Sequence, residues 1–422
     1  MKNMKNEEKY LQVLEEEMIV AMGCTEPIAL AFGAAKGREL LGKLPRKVYV
    51  EVSGNILKNV KGVVVPNTGG LRGVGAAVVV GLIAGISDKN LEVISVVSDE
   101  QKAEIAAFLA ENEIEVVSMD TPNVLDFRIT LDDRVVVRIA DSHLNIVHIE
   151  MDGEVLFDKE ITVKAADENY REFMSIQGII DFANDVDLDK VRDLLEKQIS
   201  YNTAISEEGL RNDWGANIGS VLLNTYGDET NNRCKACAAA GSDARMSGCE
   251  LPVVIVAGSG NQGITASVPV IEFARINDIE HDKLLRALLI SNLTTVHQKN
   301  KIGRLSAYCG AVSAGAGAGC SIAYLKGGGR DEIAHTLVNA VAITSGIICD
   351  GAKPSCAAKI AASVDAGLLG LAMYENHQQF RSGEGIVAKG VENVIDNVGE
   401  LGRIGMRETD KEIIHLMIEG AC

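Results

Sequence analysis

The stretch that decides the fold runs over residues 125–162: LDFRITLDDRVVVRIADSHLNIVHIEMDGEVLFDKEIT. Apolar and polar residues alternate along 127–131, 134–140, 144–151 and 154–158, and LDD, ADSH and MDG stand between these runs. Period-two alternation broken by turn residues predicts an antiparallel meander. Upstream, the runs 47–53, 60–66, 91–97 and 114–118 read as further strands, with helices near 73–84 and 100–112. Before them, Leu11, Leu14, Met18 and Ile19 mark a helix over 7–22, and Pro27 opens a second through about residue 41. Downstream of about residue 167 nearly everything reads as helix rich in Gly and Ala. Predicted helices there span 168–184, 188–199, 207–226, 232–245, 264–276, 281–297, 304–324, 332–349, 356–375 and 410–419.

The expected fold is therefore α+β: a mostly helical, Gly/Ala-rich catalytic domain with an inserted α/β domain containing the meander. Residues 1–45 are expected to pack with the helical domain, 46–165 to form the α/β domain, and 166–422 to complete the helical one.

Composition excludes several classes. The 422 residues carry 41 Lys and Arg against 59 Asp and Glu, a net charge of −18. A phosphate backbone needs a basic face, so nucleic acid is not an expected partner. The longest apolar run, near residues 75–86, is short and Gly-rich, so no membrane span is expected. MKNMKNEEKY has no apolar stretch behind its charges, so a cytoplasmic location is expected. Nine cysteines in that compartment are expected as thiols, metal ligands or catalytic groups rather than disulfides.

Four groups of residues carry chemistry. Cys309 precedes a glycine-rich run, and Cys349 and Cys356 bracket a segment that Gly351 and Pro354 force to turn. Three such thiols suit an iron–sulfur cubane with one iron left free as a Lewis acid; the plain alternative is buried small hydrophobes. Cys234 and Cys237 form a CxxC with Cys249 downstream, which suggests zinc or thiol redox chemistry. Their Ala-rich surroundings favour two cysteines on a packed helix. Cys24 stands beside the N-terminal end of the helix opened by Pro27, whose dipole favours thiolate, while Thr25 or Glu26 could simply cap that helix. Gly258, Gly260 and Gly263 match GxGxxG after a short apolar run, but no second βαβ half is evident. An anion nest with Ser259, Asn261 and Gln262 is the better reading of that loop.

Six motifs, in order and spanning almost the whole length, then carry a resemblance: GCTEP at 23–27, VPNTGGLRG at 65–73, SDARMSG at 242–248, GSGNQGI at 258–264, IGRLSAYCGA at 302–311 and CDGAKPSCAAK at 349–359. The chain resembles the L-cysteine desulfidase family, close kin of the iron–sulfur L-serine dehydratases. The resemblance implies a 4Fe–4S cluster on Cys309, Cys349 and Cys356, and proton abstraction by Cys24. It implies β-elimination of L-cysteine to sulfide, ammonia and pyruvate without pyridoxal phosphate. Serine dehydratases carry a longer gap between the last two cluster cysteines, so the 349–356 spacing favours the desulfidase; serine ammonia-lyase is the alternative. Candidate donors for the substrate carboxylate are Asn67, Thr68, Ser259, Asn261, Gln262 and Lys353. His297 and Arg304 are as readily packing or surface groups. The terminal Cys422 is a possible fourth cluster ligand. A zinc or thiol sensor built on Cys234, Cys237 and Cys249 is the remote alternative, with a nicotinamide enzyme last. The Gly/Ala-rich faces permit a homodimer.

Overall fold

The computed structural model describes residues 2–161, 171–303 and 306–419. The meander forms as expected: β4 (Asp126–Leu131), β5 (Val135–Ala140), β6 (Ile146–Met151) and β7 (Glu154–Asp158) follow one another as antiparallel neighbours. β2 (Val48–Val52) pairs antiparallel with β4 and parallel with β3 (Ile114–Ser118), giving the order β3-β2-β4-β5-β6-β7. The sheet is mixed, and with the helices it makes the α+β class expected from the sequence.

Of the helices around this sheet, α1 (Lys2–Glu17) ends earlier than its periodicity suggests, because residues 20–22 form β1 (Val20–Met22). α2 (Thr25–Leu41) lies on the sheet. Gly33 of α2 faces Phe127, Ile129 and Ile139, and Gly37 faces Leu131 and Val137. Those sheet residues are fully buried, each contributing about 1.5–3 kcal/mol of burial. α2 also packs closely on α4 (Gly73–Ala84). α5 (Asp99–Glu111) starts at a capping box formed by Ser98 and Gln101.

Two predicted strands are not strands. The run 60–66 is preceded by Ser53, whose side chain accepts from the Ile56 N–H and starts α3 (Gly54–Lys61), so its first residues are helical. Residues 87–92 form a 3₁₀ turn with Asn90 at φ 53°, and the Ile86 N–H returns to the Val93 carbonyl. Local side-chain and backbone hydrogen bonds overrode the apolar runs at both places.

The helical part begins with α6 (Ile176–Asp185); residues 168–170 of the expected 168–184 helix lie outside the described residues. The expected helices 188–199 and 207–226 resolve instead as α7 (Arg192–Arg211) and α8 (Ile218–Tyr226). Then follow α9 (Thr230–Met246), β8 (Pro252–Val254), α10 (Gly260–Ile276), α11 (His281–Ile302), α12 (Gly310–Leu325), α13 (Arg330–Thr344), α14 (Cys356–Glu375), α15 (Val391–Glu400) and α16 (Arg407–Glu419). α13 stops short of Cys349, and α15 had no counterpart in the sequence reading. β8 pairs antiparallel with β1.

The small residues serve close approach. A Cβ on Gly315 of α12 would stand 2.4 Å from the Ser363 backbone of α14, so these helices touch backbone to backbone. α14 is long and apolar enough to cross a membrane by length and composition, with a mean hydropathy of 1.5, which the sequence reading did not anticipate. It packs against α9, α12 and α13.

Candidate active site

Four helices begin around one cavity. Cys24 is the residue before α2, Ser259 the residue before α10 and Cys309 the residue before α12, while Cys356 is the first residue of α14. All four line the cavity. Each helix start presents unpaired N–H groups and about half a positive charge. The cavity is thus built for anions. Its volume of about 120 Å³ suits a small amino acid rather than a dinucleotide.

The thiol side is set by backbone. Tyr308 and Ile348 form an isolated antiparallel bridge; the Cys309 N–H donates to the Ile347 carbonyl (3.1 Å) and the Cys349 N–H to the Ala307 carbonyl (2.6 Å). That pairing brings Cys309 and Cys349 side by side, and the turn through Gly351 returns Cys356 to the same cavity. Burial pushes the Cys309 and Cys356 thiols up, and each is raised further by Cys349. Lys359 opposes both shifts; its ammonium donates to the Ile348 carbonyl (2.8 Å) and pairs with Asp350. Among the described residues, no three His, Cys, Asp or Glu side chains gather as they would on a single metal ion. A cubane distributes its thiolates over separate irons, so its ligands stand further apart than those of one ion. Three thiols on one electropositive cavity match that donor set, and further inward-facing polar groups there lack partners. Gln262 Oε1 and Arg245 Nε are buried without a hydrogen bond. Lys299, 6% exposed, is held down to about 8 by burial.

The opposite wall holds Cys24. Its Sγ donates to Glu26 Oε2 (3.1 Å). One of the two sequence readings gave Cys24 a pKa lowered by the helix end. Burial first, and Glu26 second, instead push the thiol well up, with Arg245 opposing. Glu26 behaves in reverse. Burial works against its charge, but His143, Cys24 and Thr25 hold the carboxyl below its ordinary value. Asn59 Nδ2 donates to its other oxygen (3.0 Å). The buried pair therefore rests as thiol and carboxylate. Arg245, at the end of α9, donates to the Gly23 carbonyl (2.6 Å) and to Asn261 Oδ1 (3.0 Å).

The expected carboxylate donors divide. Ser259, Asn261 and Gln262 line the cavity. Asn67 and Thr68 do not. Asn67 Nδ2 donates to the Ile94 carbonyl (2.8 Å), and Thr68 Oγ1 donates to the Val65 carbonyl (2.6 Å) and accepts from the Leu71 N–H (3.1 Å). They hold their own turn. Lys353 turns to Asp350 instead of the cavity. His297 Nε2 bonds Glu392 (2.7 Å), and Arg304 and Cys422 lie outside the described residues. Cys234 and Cys237 are buried on α9 beside Arg233 and Glu272, with burial raising both thiols to about 12. The glycine loop is no dinucleotide cradle: β8 joins a two-stranded antiparallel sheet. Gly260 is needed for the arginine, since a Cβ there would meet Arg245 Nε at 2.3 Å.

Sequence reasoning missed Arg245, Glu26, His143, Asn59 and Lys299 as cavity residues. Arg245 and Glu26 lay inside quoted motifs, and His143 inside a turn read only as a turn.

Comparison with known proteins gives the same placement. Residues 88–415 match the model of the family described as serine dehydratase alpha chain. A UPF0597 protein of Desulfitobacterium hafniense is 58% identical over 413 residues, covering 97% of this chain and 96% of the relative. One from Lachnoclostridium phytofermentans is 48% identical over 415 residues, covering 97% and 99%. One from Finegoldia magna is 48% identical over 421 residues, covering 99% and 100%. With a cavity that gathers its thiols, a buried arginine and a carboxylate, the chain belongs to the serine dehydratase alpha chain family and is a dehydratase-like lyase.

Proposed function

We propose that this protein is an iron–sulfur lyase that eliminates the β-substituent of L-cysteine, giving sulfide, ammonia and pyruvate. The observation that carries the reading is the meeting of Cys24, Cys309, Cys349 and Cys356 at one cavity ringed by helix N-termini. A 4Fe–4S cluster on Cys309, Cys349 and Cys356 would supply a Lewis-acidic iron to the leaving sulfur.

The chain's own residues would do the rest. Arg245 and the loop from Ser259 to Gln262 receive the carboxylate at the N-terminal end of α10. Cys24 passes its S–H proton to Glu26 Oε2, 3.1 Å away, and the thiolate so formed takes the α-proton. Glu26 is the acceptor within reach of that proton; burial and the Glu26 charge keep the thiol protonated at rest, and Arg245, which opposes that shift, is the group that favours the thiolate. Loss of the β-sulfur then leaves aminoacrylate, which tautomerises and hydrolyses.

L-Serine is the second substrate reading, favoured by the family match. Hydroxide is a poorer leaving group than hydrosulfide, so the same residues would run more slowly on it. The proposal includes a cytoplasmic location, a small-molecule substrate with no nucleic acid or membrane partner, and a homodimer. It also keeps Cys422 as a displaceable fourth ligand. Lys58 pairs with Asp410 of α16 and donates to the Cys349 carbonyl (3.4 Å), anchoring the helix before Cys422 near a cluster cysteine.

The test is anaerobic reconstitution with iron and sulfide, then assay of sulfide and pyruvate from L-cysteine beside L-serine. Broad visible absorption with both products from cysteine, lost in Cys309→Ala, supports the reading. Preference for serine moves the protein to the dehydratase reaction, and a colourless, inert protein refutes both. Loss of Cys422 should change the spectrum, and an unchanged spectrum removes it from the ligand set.

A further inference from the structure

Lys299 occupies an unusual position. It lies near the C-terminal end of α11, lines the cavity and is 6% exposed. Among the described residues its ammonium makes no hydrogen bond and no ion pair. Burial is the largest influence on it and disfavours its charge, Lys58 does so too, and Cys349, Cys309 and Glu17 are the neighbours that would favour it. Glu17 is engaged by Arg171 (2.6 Å), and Lys58 by Asp410. A buried, unpaired ammonium is costly, and chains retain one where something anionic completes it. Among the described residues, none forms an ion pair with Lys299.

We propose that Lys299 is a positioning residue for the cluster, its ammonium donating to the sulfur face that Cys309 and Cys349 present. The inference rests on the iron–sulfur reading above. Three thiolates on a cubane carry negative charge into a buried site, and N–H···S bonds from the second sphere are a principal means of stabilising such a group. Lys359 already compensates the side nearest Cys356 and Cys309 through its own fixed partners. Lys58, which donates to the Cys349 carbonyl, is committed to Asp410; among the described residues Lys299 is a cavity cation with no such fixed partner. An ordinary structural lysine would show its partner in the folded chain, and among the described residues this one has none.

The two states make opposite demands, and that is the test. Met matches the length of Lys without its charge. In Lys299→Met the iron-free protein should melt at the same temperature as wild type or above it, because an uncompensated buried charge has gone. After anaerobic reconstitution, the same variant should lose iron to a chelator about ten- to a hundredfold faster than wild type. Its visible absorption should shift, and its reduction midpoint should move negative. Lys299→Arg keeps the charge and should restore most of the iron retention.

Wild-type iron retention and an unchanged spectrum in Lys299→Met would overturn the inference while leaving the cluster intact. A lowered melting temperature of iron-free Lys299→Met would also overturn it, since the lysine would then have a structural partner. If reconstituted wild type takes up no iron, the cluster reading falls and this inference falls with it. Chelator-driven iron loss and melting are read without turnover, so they do not depend on which amino acid is the substrate.

Discussion

Replacing Gly260 by Ala tests the arginine's role with one methyl group. Its φ is not positive, so the backbone tolerates Ala, and helix propensity alone would favour the change by up to about 1 kcal/mol. Space is the obstacle. The new Cβ would stand 2.3 Å from Arg245 Nε, 2.6 Å from its Cζ and 2.8 Å from Val253 Cγ2. Ordinary contact begins at 3.4 Å, so the guanidinium must retreat by 3.4 minus 2.3, about 1.1 Å. It cannot do so freely. Arg245 is 2% exposed and held by the Gly23 carbonyl at 2.6 Å and Asn261 at 3.0 Å. Moving it 1 Å breaks the first of these bonds, worth about 1.5–3 kcal/mol for a charged donor. Overpacking adds about 1–3 kcal/mol. The melting temperature should therefore fall, and kcat/KM should drop roughly ten- to a hundredfold, mainly through KM, as the carboxylate anchor is displaced. Thermal unfolding and steady-state assay of reconstituted enzyme measure both. In the double variant Gly260→Ala/Arg245→Ala the arginine part of the penalty should vanish, leaving only the cost of the Val253 contact beyond that of Arg245→Ala alone. Wild-type kcat/KM in Gly260→Ala would refute the argument, since Arg245 would then be free to move without consequence.

Three other outcomes follow from the same geometry. Thr68→Val should cost about 1–3 kcal/mol by orphaning the Val65 carbonyl and Leu71 N–H, with KM unchanged; a raised KM would return Thr68 to the site. Cys234→Ala/Cys237→Ala should leave iron content and turnover at wild-type values, and loss of iron would contradict the placement of these thiols on a packed helix. Glu392 is held below the ordinary value of 4.5: burial opposes this, but the bond from His297 prevails. A lowered carboxyl stabilises the fold above its unfolded pKa and loses that stabilisation as pH falls through the folded value. The side chain is 43% exposed, so Glu392→Gln should cost under about 1 kcal/mol at pH 7. The difference should vanish in denaturation curves taken well below pH 4.5, and a difference independent of pH would assign the effect to packing.

Periodicity was sufficient wherever one element buried one face. The meander was legible because β4, β5 and β6 alternate, and the start of α14 because Gly351 and Pro354 force a turn before it. It failed where local bonds competed, as at Ser53 and Asn90. It also misplaced the boundary between the helices expected over 188–199 and 207–226, which resolve as α7 and α8. Within the site, cysteines announce themselves in a sequence, and the three assigned to the cluster line one cavity. Arg245, His143 and Lys299 did not, because their meaning lies in burial and in the neighbours that the fold gives them. Asn67 and Thr68 misled for the complementary reason: turn residues and ligand donors are the same residue types.

The position of α2 has a consequence for how the reaction is divided. Its body rests on the sheet, and the loop after β5 brings His143 from that sheet to Glu26. The groups proposed to handle the proton are thus mounted on the sheet side, while the thiols proposed for the cluster belong to the helices. Thr25 and Arg245 bridge the two through the Gly258 and Gly23 carbonyls. The proposed base and the proposed cluster ligands are therefore mounted on separate supports, so substitutions that retune one need not disturb the other. The reaction becomes competent only where the supports meet.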